Sequence, residues 1–354
     1  MKKIATLALG AGLISSPVLA GGIEGFPSET RFLFEQGRYV EITGGWADGK
    51  TEGTEFGQPT GDVTPSISGL SLAYKQDLGE KWVFAIRGFN SINYKLQYPT
   101  GTGAPSAGTN VRYRGTEVAL MARYKFNENI SAYAGIRFEK LNDFSGALIN
   151  PSLSYSLDSE GDYNPGFLVG AAYEIPSLAF RADLTYYSKI DHDLDGVEQL
   201  QPLAPSDVTT ELTTPQTVAL NVQSSISGPW GAFGSIRWRN WDDTAVQSPA
   251  LGGPLAEFAE NSVDYQLGVG YLLNPKWYFY GILSRSQPEG GFIGFDYQGG
   301  GNGITLGAVH SIGQTRILVD VTYGTLGDVN EPDAGLQIRN VSGTAVRVSV
   351  SHNF

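Results

Sequence analysis

The segment EVALMARYKFNENISAYAGIRFE, residues 117–139, decides the fold class of this chain. Apolar residues occupy every second position on both sides of residues 127–129. Charged residues such as Glu117, Arg123 and Arg137 occupy positions between them. Because side chains alternate between the two faces of a strand, each set lies on one face. The segment therefore predicts two amphipathic antiparallel strands joined by a short turn.

The same alternation recurs along the chain and predicts an all-β protein of fourteen strands. The predicted strands are 38–47, 66–77, 81–97, 110–126, 130–145, 163–175, 178–193, 211–226, 230–243, 262–273, 276–286, 303–312, 314–326 and 341–354.

The connections between these strands fall into two length classes that alternate strictly. The short ones are 78–80, 127–129, 176–177, 227–229, 274–275 and 313. The long ones are 48–65, 98–109, 146–162, 194–210, 244–261, 287–302 and 327–340. Tight turns at one end and long loops at the other are typical of a transmembrane antiparallel β-barrel with an even number of strands.

The N-terminus predicts export. Lys2 and Lys3 precede an apolar run and a small-residue site ending at Ala20, which is the pattern of a cleaved signal peptide. We expect three parts: a signal peptide (1–20), a short hatch or plug segment (21–37) and a barrel (38–354). The predicted location is the bacterial outer membrane.

Composition narrows the function further. The chain has 24 basic and 36 acidic residues and no cysteine, and cleavage would remove two lysines, moving the net charge from −12 to −14. Such an acidic chain is a poor candidate for binding nucleic acid. Without cysteine there is neither a disulfide framework nor a thiolate metal site.

The period alone leaves open which face meets lipid. In a soluble sandwich the apolar face packs inward, whereas in a membrane barrel it faces outward. Export, the alternating loop lengths and aromatic residues beside the short turns, such as Trp82, Tyr124 and Trp230, favour the barrel. Phe354 ends the chain inside an alternating strand and resembles the terminal signature by which the assembly machinery recognises outer-membrane barrels.

Several segments resemble the long-chain fatty acid transporter (FadL) family of hydrophobic-compound channels. They are 123–129, 187–196, 213–221, 234–238 and 241–242. The resemblance implies a monomeric barrel with an N-terminal hatch, ligand capture at the outer loops and release sideways through the wall. The chain departs from the family pattern in its short N-terminal segment, which lacks the family's Asn-Pro-Ala element.

Candidate ligand-binding residues lie on the predicted inner face and in the loops. An arginine group in the lumen is suited to a carboxylate head group, while an ion-pair network filling the barrel is the alternative. The lumen candidates are Arg123, Arg137, Arg181, Arg237 and Arg347; the loop capture candidates are Leu148, Ile149, Leu200, Leu203, Leu251, Leu255, Phe258 and Phe292. Pro215 lies inside a predicted strand, and marks either a kink in the wall or a strand extension above the membrane.

No catalytic residue, metal site or cofactor is predicted. Asp191, Asp193 and Asp195 imitate the start of a calcium loop, but Pro202 occupies the position that requires a bidentate Glu. The acids beside His192 point to the opposite face of its strand and do not orient it for catalysis.

The sequence favours passive uptake of hydrophobic small molecules, long-chain fatty acids or aromatic compounds, through the barrel or its wall. The expected partners are this ligand, outer-membrane lipid and lipopolysaccharide. A general diffusion porin with a water-filled lumen is the alternative, and a structural or adhesive barrel is a third interpretation.

Overall fold

A computed structural model describes residues 25–142, 144–150, 153–241, 245–257, 261–287, 300–332 and 335–354. The expected signal peptide and the capture candidates Phe258 and Phe292 lie outside these residues, as does the side chain of Leu255. No helix within the described ranges is both long and apolar enough to cross a bilayer.

Fourteen strands of the described chain form one closed antiparallel wall. Numbered in chain order together with the loop strands, they are β1 (Arg38–Lys50), β4 (Ile67–Leu78), β5 (Trp82–Gln97), β6 (Asn110–Lys125), β7 (Ile130–Leu141), β10 (Tyr163–Ile175), β11 (Phe180–Tyr187), β14 (Gln216–Ser227), β15 (Trp230–Asn240), β18 (Ser262–Asn274), β19 (Trp277–Ser286), β20 (Gly301–Ile312), β21 (Thr315–Leu326) and β24 (Ser342–Asn353). The ring closes where β1 pairs with β24, from Tyr39 opposite Asn353 to Lys50 opposite Ser342. The predicted fourteen-stranded barrel is confirmed.

The long connections contain strands of their own. These are β2 (Gly53–Glu55), β3 (Gln58–Pro59), β8 (Phe144–Asn150), β9 (Leu153–Ser159), β12 (Ile190–Leu200), β13 (Ser206–Thr214), β16 (Ala245–Ser248), β17 (Gly253–Glu257), β22 (Val329–Glu331) and β23 (Leu336–Ile338). Strands β8, β9, β12 and β13 continue the barrel sheet beyond the wall. The expected long loops 146–162 and 194–210 are therefore largely hairpins.

The wall is apolar outside and polar inside. Leu120 is 47% exposed and Val350 39% exposed, whereas Glu117 and Arg347 are 1% and 2% exposed. Apolar side chains exposed on every second position of a closed sheet make an outer belt suited to lipid, and this assigns the chain to the outer membrane.

Aromatic side chains line the short-turn end of the belt. Trp82 lies 4.9 Å from Tyr124 between ring centroids, and Trp230 lies 4.7 Å from Tyr271. The turns beside them use glycine where the backbone enters the left-handed region, as at Gly79 (φ 67°) and Gly313 (φ 61°). This is the expected interfacial girdle at the periplasmic end.

Two predicted strands are interrupted. The expected strand 178–193 breaks after Tyr187 and resumes as β12, and the expected strand 211–226 breaks at Pro215. Pro215 has no N–H to donate to the neighbouring strand. On the adjoining strand pair, at the same height in the wall, the Ser188 hydroxyl accepts a hydrogen bond from the Phe167 N–H at 2.9 Å. The β12–β13 hairpin therefore leaves the line of β11 and β14 at this point.

Candidate functional site

Residues 25–37, called the plug segment below, lie inside the barrel. A 3₁₀ turn (Arg31–Phe34) buries Phe32 and Leu33, which are 2% and 0% exposed. The Phe34 ring packs between two wall arginines, 4.1 Å from Arg123 and 4.2 Å from Arg181. The segment therefore fills the lumen with apolar side chains in a cationic environment.

Lumen arginines also bond the backbone of the plug segment. Arg87 donates to the Pro27 carbonyl at 2.8 Å, Arg237 to the Ser28 carbonyl at 2.5 Å, and Arg123 to the Leu33 carbonyl at 3.2 Å. Hydrogen bonds from charged donors to buried carbonyls are stronger than neutral ones.

Ion pairs complete the attachment of the plug segment to the wall. Arg31 pairs with Glu41 of β1 at 2.8 Å, and Glu35 pairs with Arg316 of β21 at 3.0 Å. The wall thus contacts the plug segment from several sides of the ring.

Phe26 occupies a slot that two glycines create. Gly45 of β1 and Gly69 of β4 are cross-strand partners on the inner face. A Cβ at Gly45 would lie 3.0 Å from Phe26 Cζ, and a Cβ at Gly69 would lie 2.7 Å from Phe26 Cε2. Only glycine leaves space for the ring at Gly69, and Phe26 is 6% exposed there.

The third wall strand, β5, carries a bulge beside this slot. Pairing of β4 with β5 ends at Ser71 opposite Phe89, and the β5–β6 register shifts between Phe89 and Ile92. Beyond that point a side chain replaces the backbone ladder between β4 and β5. The Asn90 Oδ1 accepts a hydrogen bond from the Leu70 N–H at 2.8 Å.

The plug segment bonds to the bulged residues themselves. The Gly25 N–H donates to the Ser91 carbonyl and the Phe26 N–H to the Asn90 carbonyl, both at 2.8 Å. This break in the wall, between β4 and β5, is therefore closed by the start of the plug segment.

The five lumen candidates differ in how their charges are balanced. Four of them pair with a carboxylate: Arg123 with Glu174, Arg137 with Glu117, Arg181 with Asp183 and Arg347 with Asp320. Arg237 makes no ion pair with another described residue and donates to the plug segment. Arg87 is similar, bonding Ser71 and Pro27.

A bidentate ion pair supports the second break, at Ser188 and Pro215. Arg137 donates to both oxygens of Glu117, at 3.0 and 2.7 Å, and also to the Ser188 carbonyl at 2.9 Å. The Arg137 guanidinium thus neutralises the buried Glu117 carboxylate and also donates to the Ser188 carbonyl, which the strand interruption leaves without a backbone partner.

His192 is buried among acids supplied by other strands. Its Nε2 lies 3.4 Å from Glu139 of β7, and its Nδ1 lies 3.5 Å from Asp162. Sequence neighbours were expected not to orient this ring; the structure supplies acids from distant positions instead. A tertiary contact of this kind carries no local sequence signal.

An apolar cluster closes the outer end of the barrel. It combines wall residues such as Tyr113 with hairpin residues such as Leu157, Leu194 and Ile338. Of the capture candidates, Leu148, Leu200 and Leu251 pack against this cluster, whereas Ile149 and Leu203 are 39% and 61% exposed.

Glu198 joins three of the outer connections. The Tyr155 hydroxyl donates to its carboxylate at 3.2 Å, the Ser248 hydroxyl at 2.9 Å and the Ala250 N–H at 2.9 Å. Burial raises the pKa of Tyr155 to about 12, so this hydroxyl stays a donor at neutral pH.

A cavity of about 30 Å³ lies between the plug segment and the outer cluster. Phe26, Phe89 and Trp241 line it together with Arg137 and Arg237. A benzene-sized ligand needs a cavity of about 150 Å³, so this cavity is too small to hold one.

A closed, plugged barrel with an apolar belt defines the class of this protein, a bacterial outer-membrane β-barrel with the fold of hydrophobic-compound transporters. It resembles a Pseudomonas aeruginosa FadL homologue, with a TM-score of 0.77 and 14% identity over 92% of each chain. The Pseudomonas putida toluene transporter TodX gives a TM-score of 0.70 at 14% identity, covering 98% of this chain and 94% of that one.

The Ralstonia pickettii toluene transporter TbuX gives a TM-score of 0.68 at 13% identity, over 96% of this chain and 98% of that one. No family model and no curated protein matches the sequence. The FadL-like resemblance stated from the sequence is thus confirmed at the level of the fold.

Sequence reasoning missed the bulge at Asn90 and Ser91. The sequence carried no signal for it, because Ile92 and Leu96 keep the even-numbered apolar period of Trp82, Phe84 and Ile86. In the structure the bulge turns Ile92 and Leu96 inward, where they are 3% and 4% exposed.

Proposed function

We propose that this barrel mediates passive uptake of hydrophobic small molecules across the outer membrane. The observation that carries the proposal is the closed lumen: polar contacts hold the plug segment inside, and an apolar cluster covers the outer mouth. A general porin needs a continuous aqueous path, which this arrangement does not offer.

The outer cluster supplies the first binding surface. Leu203 and Ile149 are exposed at the outer connections, and Leu148, Leu200 and Leu251 continue inward from them to the buried cluster. An apolar ligand moving along these side chains stays out of water during entry, which lowers the free energy of transfer.

The break between β4 and β5 is the proposed exit through the wall. Leu70, which is 47% exposed on the lipid side, lies where ladder pairing stops, and Phe26 closes the inner side. Displacing Phe26 would connect the lumen with lipid. Pro215 marks a second break, but there Arg137 and Ser188 satisfy the freed backbone. We therefore assign release to the first break.

Arg237 and Arg87 are the proposed carboxylate receptors. When the plug segment leaves, both lose the carbonyls of Ser28 and Pro27, while the other lumen candidates keep their acidic partners. The plug segment carries Glu29, Arg31 and Glu35, so its departure also removes a net negative charge from the lumen, where Arg316 loses Glu35 and Glu41 loses Arg31. The added positive charge in a low-dielectric lumen favours an anionic head group such as that of a long-chain fatty acid.

The test is uptake into proteoliposomes containing purified protein, with radiolabelled oleate and toluene as separate probes and glucose as the polar control. We expect uptake of at least one apolar probe and none of glucose, with low steady ion conductance. Glucose uptake with a large steady conductance would establish the porin alternative.

Arg237→Met provides the residue-level test, with Arg347→Met/Asp320→Asn as a matched control that removes a lumen arginine together with its acidic partner. If a carboxylate binds Arg237, oleate uptake falls about tenfold and toluene uptake changes less than twofold. If uptake of oleate and of toluene fell equally, the role of Arg237 would be to hold the plug segment and not to bind a carboxylate.

A further inference from the structure

A groove lined by both basic and acidic side chains lies on the outward face of the barrel, apart from the lumen and from the two breaks in the wall. Its volume is about 1230 Å³, and it lies where β6 and β7 continue into the β8–β9 and β12–β13 hairpins. Arg112, Arg114 and Lys140 belong to its lining, and so do four acids on the hairpins. The register places Ser145 opposite Arg112 and Asp158 opposite Ser145, so the acids begin two strands away from the basic side.

The basic side is built by strand register. Arg112 and Arg114 are exposed on the outer face of β6, and Lys140 is exposed on the outer face of β7. Lys95 of β5 lies directly opposite Arg112. Neighbouring strands are about 4.8 Å apart, so the four cations form one compact patch.

These cations have no partner within the described chain. The side chains of Lys95, Arg112, Arg114 and Lys140 make no ion pair or hydrogen bond with another described residue. Most lumen arginines, by contrast, are matched to acids. The groove as a whole has no excess of positive charge because its lining includes four acids, but the basic side gathers four cations without a partner among the described residues and is locally suited to an external anion.

The height of the patch identifies the source of that anion. On β6 the lipid-facing Leu120 and Val118 are 47% and 37% exposed, and Arg114 lies beyond them on the same face. Four residues from Val118 to Arg114 span about 13 Å along the strand, which carries the guanidinium out of the hydrocarbon into the polar interface.

We propose that this patch binds the phosphate groups of a phosphorylated glycolipid in the outer leaflet. Arginine is suited to phosphate because its planar guanidinium donates two parallel hydrogen bonds. Phosphate is repelled by the acids at the hairpin side of the groove and is therefore confined to the basic side; these acids are Asp158, Glu160, Asp195 and Asp207. The site is separate from the proposed transport route.

The test compares three variants in neutral detergent by native mass spectrometry, with diphosphoryl lipid A as the probe. Arg112→Gln/Arg114→Gln/Lys140→Gln should weaken binding at least about tenfold, because each basic residue near an anionic lipid contributes severalfold. The matched control Lys81→Gln/Lys276→Gln/Arg339→Gln removes three charges at exposed positions outside the groove and should leave binding within about twofold.

Asp158→Asn/Asp207→Asn should tighten binding, since it removes repulsion across the groove. Dephosphorylated lipid A should bind all variants equally weakly, and raising NaCl from 0.1 to 1 M should weaken the diphosphoryl form by shortening the screening length. Equal affinity of the basic-patch variant and the wild type, or tight binding of dephosphorylated lipid, would overturn the proposal. Transport is measured separately, so that failure here leaves the uptake proposal standing.

Discussion

Substituting Gly69 by alanine should open the lumen by removing the slot in which Phe26 lies. The added Cβ would lie 2.7 Å from Phe26 Cε2, too close for the ring to remain. Overpacking of this kind costs about 1–3 kcal/mol. Because the cost falls on the state in which the plug segment is docked, the undocked population should rise about 5- to 150-fold.

Neighbouring glycines give a graded series on the same sheet. At Gly45 the new Cβ would lie 3.0 Å from Phe26 Cζ, and at Gly44 it would meet nothing within 4 Å. We therefore expect the effect to increase from Gly44→Ala, which should match the wild type, through Gly45→Ala to Gly69→Ala.

The undocked population is measured as the rate at which Thr30→Cys, added to each variant, reacts with a water-soluble maleimide, because Thr30 is 2% exposed while the plug segment is docked. Each variant is first shown to be folded by its resistance to unfolding in SDS at room temperature. The double variant Phe26→Ala/Gly69→Ala should react no faster than Phe26→Ala alone, because the clash requires the ring. If Gly69→Ala and Gly44→Ala reacted at the same rate while both were folded, the slot for Phe26 would not be what holds the plug segment in place.

Three further outcomes are expected. Thr30→Cys/Thr185→Cys replaces hydroxyls 3.4 Å apart in a chain without cysteine, so oxidation should lock the plug segment and abolish uptake until dithiothreitol restores it; uptake unaffected by a verified disulfide would exclude movement of the segment. Arg137→Met leaves Glu117 buried without its partner and should destabilise the barrel by about 3–5 kcal/mol in urea unfolding, whereas a loss below about 1 kcal/mol would contradict the role given to this ion pair. Glu198→Ala removes the acceptor of three inter-loop bonds and should speed protease cleavage in the outer loops without changing barrel unfolding; unchanged cleavage would show that the apolar cluster alone holds the loops.

Local patterns predicted the wall because each strand satisfies a local rule. The alternation of apolar and polar residues places Leu120 and Val350 on the outer face and Arg347 on the inner face. Gly79 and Gly313 lie in short turns, which alternate with the long connections. These features depend on residues two positions apart or on a single turn, so the sequence was sufficient to predict the number of strands and which side chains share a face.

The plug and the wall breaks depend on contacts between residues far apart in the chain. Arg87 and Arg237 resembled the other lumen arginines in sequence, and only the fold shows that they bond Pro27 and Ser28 rather than a carboxylate. Likewise Phe26 finds its slot only when β1 and β4 bring Gly45 beside Gly69.

The sequence by itself determined the barrel, because the two-residue period of apolar side chains and the length of each connection can be read directly from it. Tertiary structure alone decided what fills that barrel and where its wall opens. Ring closure brings residues separated by dozens or hundreds of positions within hydrogen-bond distance, as with Ser28 and Arg237, and no local pattern encodes which donor meets which acceptor.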